Sequence, residues 1–191
     1  MIRSNEDYYR YLEQDRIALN YKTKHPKPFV DEIWKFQIML RKVEYYINCK
    51  KGLLNTVIGK YYKFRFHRLS VKLGFSIAPN VFEEGLSIAH YGTIVVHANA
   101  RVGKNCRIQE GVNIGATSGS DKAAVIGENC FIGSGAKIIG EIRIADHVAI
   151  GAGAVVTKDI LEPGTTWAGV PARKISDNDS HSFINSALFG G

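Results

Sequence analysis

The sequence predicts a mainly β fold: a parallel β-helix of six-residue repeats preceded by a short α-helical region. Three observations carry this. An aliphatic residue returns every six positions at Val96, Val102, Ile108 and Ile114, and again at Ile126, Ile132, Ile138, Ile144, Ile150 and Val156. Four places after each stands a second small or apolar residue: Ala100, Cys106, Val112, Ser118, Cys130, Ala136, Ile142, Val148, Ala154 and Ile160. Between them lie Gly, Asn and charged residues, the types that turn a chain sharply. Neither a helical period near 3.6 nor a two-residue alternation gives this spacing. A fixed short period signals a solenoid in which each unit buries its apolar side only against its neighbours.

Taken in order, residues 4–20 predict a helix, with Ser4 and Asp7 spaced as a capping box. His25-Pro26-Lys27-Pro28 predicts a loop, because two prolines bar a helix. Residues 31–48 predict a second helix with a broad apolar face of Ile33, Trp34, Phe36, Ile38, Leu40, Val43, Tyr46 and Ile47. A third is expected over 53–72, after Gly52. The chain then divides as a helical region 1–75, a repeat domain 76–175 and a tail 176–191. Each hexad is one short strand and one corner, and three sides close a coil. The count breaks over Thr117–Lys122, where Ser120 takes an aliphatic's place. That polar stretch predicts a loop leaving one side of the prism, with a relaxed but regular side as the alternative.

The 191 residues carry a formal charge of +7 that is unevenly placed. Residues 1–75 hold sixteen Lys and Arg against seven Asp and Glu, while the remainder holds nine against eleven. Within the third helix, Lys60-Tyr61-Tyr62-Lys63-Phe64-Arg65-Phe66-His67-Arg68 interleaves cations and aromatics. Three readings stand there: packing on a neighbouring subunit, contact with an anionic membrane surface, or nucleic-acid binding, of which the last is the least expected. Cys106 and Cys130 fall on the inner small position of the repeat, and Cys49 stands apart. With no CxxC and no disulfide framework, the cysteines fit a reducing cytosol. The polar first residues suggest no secretion signal, and no apolar run approaches a membrane span.

The strings SIAHYGTIVV (87–96), VNIGA (112–116), VIGENCFIGSGAKIIG (125–140), VAIGAGAVVTKDI (148–160) and WAGVPARKI (167–175) resemble the hexapeptide-repeat acyltransferases, and among them the serine acetyltransferase branch. The helical region is shorter than in typical serine acetyltransferases and looks more like variants associated with bacterial surface-polysaccharide synthesis. The resemblance covers residues 76–175. It implies a left-handed parallel β-helix, an acetyl-CoA-dependent O-acetyltransferase, no metal, and a homotrimer with sites between adjacent prisms. Whether two trimers pair through the helices stays open.

O-acetyl transfer needs a base to take the alcohol's proton and return it to the thiolate, a task suited to an imidazole with a pKa near ~6.5. It also needs a donor for the oxyanion. His90 is the expected base: it stands six residues before Val96, on the aliphatic register, and matches the family's catalytic His. A His filling an irregular first coil is the alternative. His97, Glu110 and Asn113 are the expected acceptor-binding residues, with His97 also readable as a surface group. His147 falls in an outward corner, and His25, His67 and His181 have no supporting context. By resemblance, Gly115 and Ala116 lie near the thioester, Gly135, Ala136, Gly153 and Ala154 line the pantetheine arm, and Lys158, Arg173 and Lys174 meet the CoA phosphates. Corner-making glycines and solvated cations are the plain alternatives.

Two departures bear on the acceptor. The family's Asp before the catalytic His is Ala89 here, and the Arg-His pair expected in the broken side is absent from Ser120–Ala124. A sugar or surface-polysaccharide precursor is therefore the expected acceptor, at the cytoplasmic face of the membrane. L-serine is the alternative, and a non-catalytic trimeric scaffold is the alternative of another class. Glu83, Glu84 and Glu110 are the candidates for orienting His90 in place of the missing Asp.

Overall fold

A computed structural model describes residues 1–189. Three helices come first: α1 (Asn5–Ala18), α2 (Glu32–Cys49) and α3 (Leu53–Leu73). Ser4 caps α1 by accepting from the Asp7 amide at 3.0 Å, and Gly74, at φ 78, ends α3 in the left-handed conformation. All three lie within about two residues of the expected bounds, the usual slack at helix ends.

From Phe75 the chain winds into three parallel faces. The first holds Phe75–Ile77, Ile94–Val96, Asn113–Gly115, Lys137–Ile139 and Val155–Val156. The second holds Ser87–Ile88, Arg107–Ile108, Phe131–Ile132, Ala149–Ile150 and Thr166–Ala168, and ends on an antiparallel strand, Arg173–Ser176. The third holds Arg101–Val102, Val125–Ile126 and Arg143–Ile144. The repeat aliphatics stack inward in register: Val96 on Ile114 on Ile138 on Val156, and Ile108 on Ile132 on Ile150. Each is nearly inaccessible, and together they form one column of apolar side chains.

The break in the count is a loop, as expected, with one correction. Ser118 is exposed rather than inward, and Ala124, 0 % exposed, supplies the small inner residue of that coil. The insertion carries Ser118 out of the core, and the packing requirement passes to the next residue in phase.

Stacked corners leave little room where coils touch. A Cβ at Gly103 would lie 2.7 Å from the Gly127 carbonyl carbon and the Glu128 amide nitrogen, both backbone atoms that cannot rotate away. Gly103→Ala is therefore expected to lower stability by about 1–3 kcal/mol, the cost of overpacking. A thermal melt with unchanged circular dichroism at low temperature checks it.

A solenoid's first coil has no preceding coil to bond with, and α2 supplies that lack. The Gln37 side chain donates to the Leu86 carbonyl at 2.7 Å and accepts from the Ile88 amide at 3.3 Å. Arg41 donates to the Phe82 and Glu83 carbonyls at 2.9 and 2.7 Å, and Glu44 accepts from the Asn80 amide at 2.7 Å. Apolar residues of α2 and α3, among them Phe36, Leu40, Val43, Phe66 and Leu73, join the prism's own core. The tail runs back along the second face to the helices: Ser180 bonds the Asn129 carbonyl, Phe183 stacks on Phe131 with centroids 4.3 Å apart, and Asn185 donates to the Ile17 carbonyl of α1 at 2.6 Å. His147 and His181, read separately from the sequence, meet there at 2.8 Å between ring nitrogens.

Candidate active site

His90 lies in the corner that leads from the second face to the first. The structure corrects one part of the expectation. Ile88, not residue 90, holds the inward register, pairing with Ile108, and His90 follows it as an exposed group. The corner is two residues longer than the repeat allows, so the chain bulges outward and carries the imidazole to the surface. His90 is a departure from the pattern because the corner is widened, and not because a polar group entered the core.

The corner stacks on those of later coils. The Gly111 amide donates to the Thr93 carbonyl at 2.7 Å, Gly135 to the Glu110 carbonyl at 2.8 Å and Gly153 to the Ser134 carbonyl at 2.8 Å. Gly111, Gly135 and Gly153 sit at φ 74, 72 and 66, the left-handed region that a corner of this shape demands. Glu110 lies directly under Gly92, where a Cβ would come within 3.0 Å of the Glu110 Cβ. Its Oε1 accepts from the Ser134 hydroxyl, while its Oε2 is buried with no protein partner among the described residues. The Ser134 hydrogen bond, helped by the charge of nearby His90, holds the Glu110 carboxyl below its ordinary value against the opposing effect of desolvation.

The other two acids considered as helpers are engaged elsewhere. Glu84 pairs with Arg10 at 2.7 Å and Lys104 at 3.2 Å, and Glu83 faces the N-terminal ammonium at 3.7 Å. Glu110 is the one of the three acids that no cation pairs among the described residues, and it stacks beneath Gly92 of the His90 corner. Asn113 projects from the first face between Val95 and Lys137. Lys137, which the sequence reading did not single out, donates to the Gly111 carbonyl at 2.5 Å. Its place one coil from Asn113 on the repeat was the available signal.

The expected cofactor residues divide between two edges of the first face. Gly135, Ala136, Gly153 and Ala154 share the His90 corner. Both Ala side chains are buried, and their amides donate within their own turns, Ala136 to Gly133 at 3.1 Å and Ala154 to Gly151 at 3.3 Å. His97, Gly115 and Ala116 lie on the opposite edge. His97 Nδ1 accepts from the Asn99 amide at 3.2 Å, and the half-buried Ala116 amide makes no hydrogen bond among the described residues. Further along that edge, Lys158 and Arg173 line a cavity of about 290 Å³ with Trp167 and Pro171. Lys174, which is exposed, pairs with Asp177 and Glu162, each at 2.5 Å, and both raise its pKa. No group of three His, Cys, Asp or Glu side chains is placed to hold a metal among the described residues.

The stacked prism has the left-handed parallel β-helix fold of hexapeptide-repeat transferases. Residues 123–158 match the bacterial transferase hexapeptide model. The chain is 38% identical over 120 residues to the serine acetyltransferase of Escherichia coli K12, a match that takes in 61% of this chain and 44% of the relative. The chain thus spans less than half the length of that relative. Serine acetyltransferase from Brucella abortus strain S19, solved in complex with coenzyme A, superposes with a TM-score of 0.70 at 28% identity, covering 91% of this chain and 70% of that one. The Neisseria gonorrhoeae serine acetyltransferase, solved in complex with serine, gives 0.65 at 28% identity, over 88% of this chain and 69% of that one. Serine acetyltransferases are homologues of this chain, and these relatives do not support the narrower expectation of a polysaccharide-type variant.

Proposed function

We propose that this chain is an acetyl-CoA-dependent O-acetyltransferase of the serine acetyltransferase type, with His90 as general base. The observation that carries the reading is the exposed His90 imidazole of the AHYGTIVV string, on a corner stacked over Glu110, whose carboxyl is held below its ordinary value. His90 takes the proton of the acceptor hydroxyl as its oxygen bonds the acetyl carbonyl carbon. The tetrahedral intermediate then collapses, the C–S bond breaks, and the imidazolium returns the proton to the CoA thiolate. Glu110 steadies the imidazolium charge, and the free Ala116 amide suits a developing oxyanion.

The two halves of this machinery do not meet within one prism. From the His90 corner at Gly111 to Gly115 the strand advances about 3.3 Å per residue, or roughly 13 Å. A homotrimer that sets the His90 corner of one prism against the Gly115–Ala116 edge of the next completes the site. In it Lys158 and Arg173 meet the CoA phosphates, while His97 and Asn113 face the acceptor.

L-serine is the acceptor that the similarity to serine acetyltransferases supports. A hydroxyl of a sugar or surface-polysaccharide precursor is the second reading, and a specific observation favours it. Ala89 replaces the family Asp, and the loop at Ser120–Ala124 has no Arg-His pair: its charged residues are Asp121 and Lys122, and Lys122 is paired with Glu141 at 3.0 Å. A neutral polyol needs no clamp for an ammonium and a carboxylate. Thiol release from acetyl-CoA, assayed with serine, nucleotide sugars and simple glycosides, decides between them. Release with none, together with no CoA binding by calorimetry, would return the chain to a non-catalytic scaffold.

Glu110→Gln separates two roles for that residue. If it steadies the imidazolium, kcat falls by about tenfold or more with the acceptor KM little changed; if it binds the acceptor, KM rises instead. Because its pKa is lowered, the carboxylate is present throughout the neutral range. Its contribution is lost only as the pH drops below the ordinary Glu value of ~4.3.

A further inference from the structure

We infer that α3 is a docking helix for an anionic lipid surface. The helix is apolar on two sides, and the chain covers only one. Phe66 and Leu73 are buried in the prism core, with Tyr62 and Leu69 packed beside them. The opposite side carries Leu53, Val57, Tyr61, Phe64 and Val71, whose exposures run from 52% to 83%. At 100° per residue these five fall within a single stripe along the helix.

The flanks of the stripe choose its occupant. Lys60, Lys63 and His67 border it on one side, Arg65 and Lys72 on the other, and Arg68 lies within it. Lys50 and Lys51 stand just before the helix, and the helix contains no Asp or Glu. Lys72 is the one of these cations that meets an acid among the described residues, reaching Glu32 at 3.3 Å. An apolar stripe bordered by cations matches the acyl and headgroup layers of an anionic membrane. A two-fold contact between two copies of this helix would set like charges against each other, because such an interface repeats the same patch on both sides. No helix among the described residues is long and apolar enough to cross a membrane, so the contact is one of a helix lying on the surface.

Placement reinforces the fit. α3 runs directly into the first coil, Gly74 turning the chain into Phe75–Ile77, so it sits at one end of the prism. In a cyclic trimer three such helices share that end, and three weak contacts add their affinities on one plane. The inference does not depend on which hydroxyl is acetylated.

The test is co-sedimentation of the full chain with vesicles of equal parts phosphatidylglycerol and phosphatidylcholine, against vesicles of phosphatidylcholine alone. Binding is expected to the first and not the second, and to weaken as salt is raised. Neutralising Lys60, Lys63 and Arg65 to Ser should weaken it by about fivefold per cation. Val57→Asp with Phe64→Asp should abolish it while leaving thiol release in lipid-free solution unchanged. Equal binding to both vesicles, no binding to either, or binding indifferent to these variants would overturn the inference. So would a change of oligomeric state in the Val57→Asp, Phe64→Asp protein, measured by sedimentation without lipid, since that would assign the stripe to a subunit contact.

Discussion

His90→Ala is expected to lower kcat for acetyl transfer by about 10²–10⁴-fold, the range for losing a positioned general base, or roughly 3–5 kcal/mol of barrier. The fold should not register the change. His90 is exposed and makes no hydrogen bond among the described residues, and surface substitutions of this kind usually stay within about 0.5 kcal/mol. Binding of CoA by calorimetry should persist, because the main chain of the opposite edge is untouched. Added imidazole should restore part of the rate by entering the space left at the corner. A variant that melts as the parent does, binds CoA and transfers acetyl at the full rate would remove His90 from the mechanism. A variant that fails to bind CoA would indicate instead that the corner shapes the cofactor groove.

The prism was legible because its physics is periodic. Each inward position repeats the same demand, so Ile108, Ile132 and Ile150 stack as their spacing predicts. The three helices were legible from local signals, a Ser4 cap, a proline-bearing loop and Gly52 before α3. The site was legible only in part. His90 emerged from the count, yet the count misplaced it, because a widened corner leaves later phases intact and cannot be seen from them. Glu110 was one of three acids; what singles it out is that Glu83 faces the N-terminal ammonium and Glu84 is held by Arg10 and Lys104, a tertiary fact. The polar side of α2 was the largest omission. Gln37, Arg41 and Glu44 drew no reading from the sequence and are buried, because they bond backbone groups of a coil far away in sequence.

That buried set yields the second large effect. Arg41 is wholly inaccessible, and all five of its donors are used. Nε and Nη2 hold the two Asp15 oxygens at 2.8 and 3.2 Å, Nη1 reaches Glu44 at 3.0 Å and the Phe82 carbonyl at 2.9 Å, and Nη2 also reaches the Glu83 carbonyl at 2.7 Å. Burial pushes the Asp15 carboxyl up, while Arg41 and the Leu86 amide pull it the other way. Arg41→Ala leaves two buried carboxylates without their cation and two carbonyls without donors. The expected loss is about 3–5 kcal/mol, the usual cost of breaking a buried pair from one side. For a chain of this size that lowers the melting temperature by roughly 6–20 °C. A buried ion cluster can often be replaced by apolar residues without loss, but this one should resist it. Asp15 also accepts from the Gly85 and Leu86 amides at 3.0 and 2.9 Å, so an Asp15→Leu, Arg41→Met, Glu44→Leu triple variant would orphan the first coil's backbone groups. It should remain less stable than the parent by thermal melt, and a triple variant that melts as high would mean the cluster is dispensable as a cap. The same groups fix residues 80–88, which run straight into the His90 corner. Arg41→Ala assayed well below its melting point should therefore lose kcat as well as stability, whereas Gly103→Ala, strained against Gly127 and Glu128 at a corner that His90 does not share, should lose mainly stability.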